Sequence, residues 1–152
     1  MKLMLAVAMS HEAKLLILDE PTSGLDPVAR DELLEILRGY IADGEKSILF
    51  STHITSDLEK IADYITLIDH GSIFYTGKKD DLLEIYYIVK GGLNDLTSPL
   101  KEKLLGLSKS STGFSGLISA TDKELLSKEI VMEQPSIDEI LVAISKGVGN
   151  HE

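Results

Sequence analysis

Apolar residues recur at helical spacing from the first residues: Leu3, Val7 and the neighbouring methionines predict a helix over 1–10. The wholly apolar run Lys14–Asp19, "KLLILD", predicts a short strand of the kind found where both faces of a parallel sheet are covered. Asp26 fits an N-cap with Pro27 at the first helical position, opening a helix through about Ala42. Its apolar positions Leu33, Leu34, Leu37 and Ile41 form one stripe, and Asp43-Gly44 ends it. "SILFS", Ser47–Ser51, reads as a second buried strand, and Ser56 with Glu59 fits a capping box for a helix near 55–63. "YITLID" predicts a third strand, which "HGSIFYTG" turns at Gly71 into a fourth, a hairpin.

The pattern changes after about Glu84. Tyr86–Lys90 reads as a strand, Ser98-Pro99 opens a short helix, and the Ser- and Gly-rich "SKSSTGFSG" predicts a loop or an irregular hairpin. Thr121 with Glu124 and Ser136 with Glu139 each fit a capping box before an apolar stripe. The second stripe is Ile137, Ile140, Leu141 and Ile144. The expected architecture is α/β over residues 1–85, a layered sheet with helices, followed by a small α+β region over 86–152.

Composition narrows the partners. Hydrophobic residues are 43% and charged residues 26% of 152, ordinary for a folded domain. The formal net charge of -10 argues against nucleic acid, whose phosphates reward Lys and Arg. With no cysteine there is neither a disulfide nor a thiolate metal site, which suits a reducing compartment. No apolar run approaches the roughly 18–20 residues needed to span a bilayer. Lys2 and the short apolar run after it have the outline of a signal peptide, but the run serves better as the helix.

The candidate chemistry sits at the end of the first strand. Asp19-Glu20 places two carboxyl groups at a strand's carboxyl end, where open α/β sheets bind ligands. One acid there can hold Mg²⁺, usually through water, and the next can orient an attacking water towards a terminal phosphate. Two acids alone would as readily be a strand ending before Pro21. His53 follows the second strand, where an imidazole can donate to a phosphate oxygen. His11, His70 and His151 lie in turn-like or terminal contexts and carry no assigned chemistry.

The longer stretch is more specific. "LLILDEPTSGLDP" resembles the Walker B segment and following D-loop of ABC-type ATPases, and "LFSTH" at 49–53 resembles their switch strand with its histidine. By that resemblance Asp19 is the Mg²⁺ carboxylate, Glu20 the catalytic base or water-orienting residue, and His53 the γ-phosphate contact. Ser23, Gly24, Leu25 and Asp26 then form the loop that meets the opposite subunit around the nucleotide. "EPTSGLDP" and "DHGSIFYTGKKDDLLE" are similar to the transporter branch, and "PSIDEILVAISKG" resembles the C-terminal extension of bacterial export-type subunits. The resemblance implies ATP and Mg²⁺ as cofactors, an integral membrane permease and a second ATPase subunit as partners, and a cytoplasmic, peripheral place on the inner face of the membrane.

One element of that chemistry is missing from these residues. "GYIADGEKS", Gly39–Ser47, nearly spells a phosphate loop, but Glu45 separates Gly44 from Lys46. It also closes a helix and leads into a strand, the reverse of the strand-to-helix turn whose amides hold phosphate. The family's phosphate loop, glutamine-bearing loop and signature all precede the segment resembling Met1 onward, so the resemblance implies a C-terminal portion. The expectation is that this chain alone neither binds nor hydrolyses ATP well. Two alternatives stay open: a non-catalytic docking or regulatory module, and an ABC ATPase outside transport.

Overall fold

A computed structural model describes residues 2–148; Met1 at the head of the expected first helix and His151 lie outside them. The fold is mixed α/β, in two compact units, 1–62 and 63–152. The change of pattern expected after about Glu84 falls inside the second compact unit, which begins with the hairpin after Ala62.

The first unit runs α1 (Lys2–Ser10), β1 (Leu15–Asp19), α2 (Pro27–Tyr40), β2 (Ser47–Ser51) and α3 (Thr55–Ile61). β1 and β2 pair in parallel with Leu15 opposite Ser47 and Asp19 opposite Ser51. Parallel strands need a crossover, and α2 supplies it. Its start is encoded locally: the Asp26 carboxylate accepts from the Val28 and Ala29 amides, both at 3.0 Å, and Pro27 follows with its φ already helical. Leu33 and Leu37 from α2 join Leu5 of α1 in a buried cluster, with Met9, Leu18, Leu25, Ile48 and Ile61 packed around it.

Two expectations for this unit fail. The strands are covered on one face only: Ile17 is 72% and Leu49 62% exposed, while Leu16 is buried. A continuous apolar run cannot say which side will be packed, because it lacks the alternation that would mark a solvent face. The Ser56–Glu59 capping box also does not form. Helix α3 starts at Thr55 with Ile54 in the cap position and no side-chain cap, so Ser56 already lies inside the helix. Thr52 Oγ1 accepts from the Ile54 amide at 3.0 Å and fixes the entry instead.

The second unit begins with the expected hairpin, β3 (Tyr64–Asp69) antiparallel to β4 (Ser72–Lys78). After α4 (Lys79–Ile85) come β5 (Tyr86–Gly91), α5 (Ser98–Lys103), β6 (Leu105–Lys109), β7 (Phe114–Ser119), β8 (Val131–Glu133) and α6 (Ile137–Val148). The last four strands form an antiparallel sheet in the order β6-β7-β5-β8. Val89, Leu100, Leu104, Phe114, Ile118 and Ile130 make its core. "SKSSTGFSG" is the irregular hairpin: Ser110 accepts from the Thr112 and Gly113 amides in the turn between β6 and β7. The Ser136–Glu139 box forms reciprocally, Glu139 Oε2 accepting from the Ser136 amide at 2.9 Å and Ser136 Oγ from the Glu139 amide at 3.2 Å. The Thr121–Glu124 box does not. Residues Ala120–Leu125 are a 3₁₀ helix capped by Ser119, which accepts from the Thr121 amide.

Helix α6 lies against β6, and Gly106 is what lets it approach. A Cβ there would stand 2.6 Å from the Ala143 Cα and 2.8 Å from its Cβ, at a backbone φ of +60°. Gly106→Ala is therefore expected to destabilise the protein by about 2 kcal/mol or more, the scale of an overpacked core with left-handed strain added. Asp26→Ala is expected to cost about 1 kcal/mol through loss of the α2 cap. Urea unfolding checks both, with Ser111→Ala in the exposed turn as a near-neutral control.

Candidate functional site

The parallel register builds the site. Because Asp19 is opposite Ser51, the chain leaves both strands at the same end of the sheet, and Glu20 comes level with the Thr52-His53 turn. The Glu20 amide donates to the Ser51 carbonyl at 3.1 Å and approaches Ser51 Oγ at 3.2 Å. The Ser51 hydroxyl in turn donates to Asp19 Oδ1. His53 Nδ1 stands 2.8 Å from Glu20 Oε2. That contact is a close ion-pair approach without the alignment of a hydrogen bond, since Glu20 Oε2 is buried and has no hydrogen-bond partner. The His53 side chain is otherwise 72% exposed, so its second ring nitrogen is accessible.

Glu20 itself holds an unusual backbone, φ +47°, in the left-handed region that disfavours residues bearing a Cβ. The turn then tightens: the Ser23 amide donates to the Glu20 carbonyl at 3.1 Å and the Leu25 amide to the Thr22 carbonyl at 3.2 Å. Gly24 takes φ +73° within it. Of the loop residues singled out from the sequence, Ser23 and Gly24 are exposed, Leu25 packs on the cluster beneath, and Asp26 caps α2. Asp19, Glu20 and His53 are thus brought together, and Ser23–Asp26 form a loop beside them.

Asp19 fits a hydrated divalent cation. It is an exposed carboxylate oriented by the Ser51 hydroxyl, an all-oxygen donor set of the kind Mg²⁺ accepts while keeping most of its waters. Among the described residues no group of three or more acidic or histidine side chains forms a complete metal cage. One protein carboxylate with waters and phosphate oxygens is the arrangement the donor set suits.

Sequence reading missed the residues beneath this surface. Thr22 and Asp57 are both fully buried, and the Thr22 hydroxyl donates to Asp57 Oδ2 at 2.5 Å. Arg30 Nε stands 4.0 Å from Asp57 Oδ1, and neither of those atoms has a hydrogen-bond partner. A signal was present: Asp57 lies among Ile54, Leu58 and Ile61, an acid on the apolar stripe of its helix. Ser51 also goes unassigned from the sequence, although its hydroxyl orients Asp19.

Comparison with known proteins adds relatives of part of the chain. A profile described as "AAA domain, putative AbiEii toxin, Type IV TA system" matches residues 2–56. The chain is 37% identical over 105 residues to an uncharacterized ABC transporter ATP-binding protein, YxlF, of Bacillus subtilis, covering 69% of this chain and 33% of that one. It is 41% identical over 83 residues to the Nod factor export ATP-binding protein I of Cupriavidus pinatubonensis, covering 55% and 25%. It is 42% identical over 79 residues to the lantibiotic transport ATP-binding protein SrtF of Streptococcus pyogenes, covering 52% and 34%. Among solved structures, "An inward-facing conformation of a putative metal-chelate type ABC transporter" aligns with a TM-score of 0.47 and 24% identity over 76% of this chain and 44% of that one, too slight a likeness to carry an argument. The chain spans a quarter to a third of the length of the three relatives. Over about half to two thirds of its own length, the chain is similar to the ATP-binding proteins of ABC transporters.

Proposed function

We propose that this chain is part of the ATP-hydrolysing subunit of an export-type ABC transporter, coupling ATP binding and hydrolysis to an integral membrane permease. In this reading residues 1–85 are the C-terminal part of the ATPase domain and 86–152 an accessory region. The working form pairs with a second ATPase subunit through the exposed Ser23–Asp26 loop, on the cytoplasmic face of the membrane. Among the described residues no helix is long and apolar enough to cross a membrane. The export assignment is supported by the Nod factor and lantibiotic relatives.

The observation that carries the reading is the meeting of Glu20 and His53, Oε2 to Nδ1 at 2.8 Å, at the carboxyl end of a parallel strand pair. Glu20 would take a proton from, or align, the water that attacks the terminal phosphate. In its protonated form the His53 ring lies with Nδ1 beside Glu20 and has Nε2–H to donate to a phosphate oxygen. Asp19, oriented by Ser51, would hold Mg²⁺ through water. When bound, the ion supplies positive charge beside the phosphates. The strained Glu20 backbone suits such a role, because left-handed residues with a Cβ persist where the surroundings impose them.

In an assembly that contains this chain and hydrolyses ATP, Glu20→Gln is expected to retain nucleotide binding and lose turnover by on the order of 100-fold or more. Unchanged phosphate release in that variant would remove Glu20 from the chemistry. Glu20→Gly is expected to raise the unfolding free energy by about 1 kcal/mol while losing turnover, because glycine relieves the positive φ. A loss of stability in urea would show that the side chain, not the chemistry, holds this position. Among the described residues there is no glycine-rich phosphate-binding turn between a strand and a helix, and the 152-residue chain is expected to show no calorimetric ATP binding at micromolar concentrations. Micromolar affinity would contradict that expectation.

A further inference from the structure

The buried acid under the site has no obvious reason to be there for stability. A fully buried carboxyl group loses its water, and Asp57 regains one hydroxyl donor and a guanidinium too distant for a hydrogen bond. An apolar side chain at this place on α3 would continue the stripe of Ile54, Leu58 and Ile61 without that cost. What the acid does provide is a link between two particular backbone segments. Thr22 lies two residues after Glu20, and Asp57 lies in the first turn of α3, which follows His53.

The link closes a ring. On one side the Glu20 amide is tied to Ser51, two residues before His53. On the other the Thr22 hydroxyl is tied to Asp57, four residues after it. The Glu20–His53 contact lies between these two ties. Without the second tie, the Pro21–Gly24 turn and the start of α3 would lose the hydrogen bond that joins them, and the two side chains could separate. Arg30 connects the same point to the first turn of α2, behind the Asp26 cap, so the exposed loop is referred to this acid from both of its ends.

We propose that Asp57 is a positioning residue: acting through the Thr22 hydroxyl, it fixes the separation of Glu20 and His53. For turnover, this rests on the reading of Glu20 and His53 as the hydrolytic pair; for geometry it stands without it. A one-ångström misplacement at a reacting centre lowers the rate by about 100-fold, so such a tie would matter far beyond its own energy.

Two readouts test it separately. In the 152-residue protein, the His53 Hε1–Cε1 signal in NMR is expected to move in Thr22→Val and in Asp57→Asn, in the direction that Glu20→Gln moves it. Thr22→Ser, which keeps the hydroxyl, is expected to leave it at the wild-type position. A folded Thr22→Val protein with the wild-type His53 signal would overturn the proposal. Unfolding of both Thr22→Val and Asp57→Asn would overturn it too, by making the contact a support of the fold. In an ATP-hydrolysing assembly containing the chain, Thr22→Val is expected to lower kcat by about 100-fold with KM nearly unchanged, and Thr22→Ser to retain kcat. Full turnover in Thr22→Val beside a dead Glu20→Gln would sink the positioning role alone. Full turnover in Glu20→Gln would sink the hydrolytic reading and leave the His53 signal to decide the positioning.

Discussion

The parallel pairing of Leu15–Asp19 with Ser47–Ser51 is the constraint from which the site follows. Each parallel pairing sets both strand ends on the same side, so the residues just beyond them meet without further instruction. Asp19 opposite Ser51 gives one acid an orienting hydroxyl, and the next residues bring Glu20 to His53. A slip of one residue would invert every side chain on the strand and break both contacts at once. The register is in turn held by Leu16 and the α2 cluster below, and by the Tyr40 hydroxyl donating to the Ala13 carbonyl at 2.6 Å at the other end of β1.

Below that end of the sheet, polar contacts give way to a less economical arrangement. The Asp31–Lys60 pair and the Arg38 hydrogen bond to the Lys60 carbonyl join α2 to α3 at the surface, where such contacts are worth little. Asp57 is different in kind. It sits in the interior with two unpartnered polar atoms around it, its own Oδ1 and Arg30 Nε. Burial of this sort is kept where geometry has value, and here it lies next to a non-glycine residue in left-handed backbone. Cost and strain fall within a few residues of the same two side chains.

Much of this was legible in the sequence because it is local. Asp26 followed by Pro27 writes the start of α2 in two residues, and Gly71 writes the turn of the hairpin. The Ser136–Glu139 box formed, each side chain accepting from the other's backbone amide. Ser56 and Thr121 had the same spacing and failed, since Ile54 and Ser119 took the cap positions ahead of them. Asp19, Glu20 and His53 could be singled out by their places at strand ends, yet their meeting depends on a pairing that only the fold supplies. The exposed faces of β1 and β2 were illegible for the same reason: burial is decided by what packs alongside, which an apolar run does not state, whereas Asp57 left a trace as an acid on the apolar stripe of its helix.

The most direct measurement is a structure of an ATPase assembly containing this chain, trapped with Mg²⁺ and a nucleotide carrying a planar or tetrahedral γ-phosphate mimic. The account predicts the Glu20 carboxyl on the attacking side of that group, His53 Nε2 at hydrogen-bond distance from one of its oxygens, and Asp19 in the water shell of the ion. A γ-phosphate mimic bound away from the end of β1, with Glu20 and His53 still facing only each other, would contradict it.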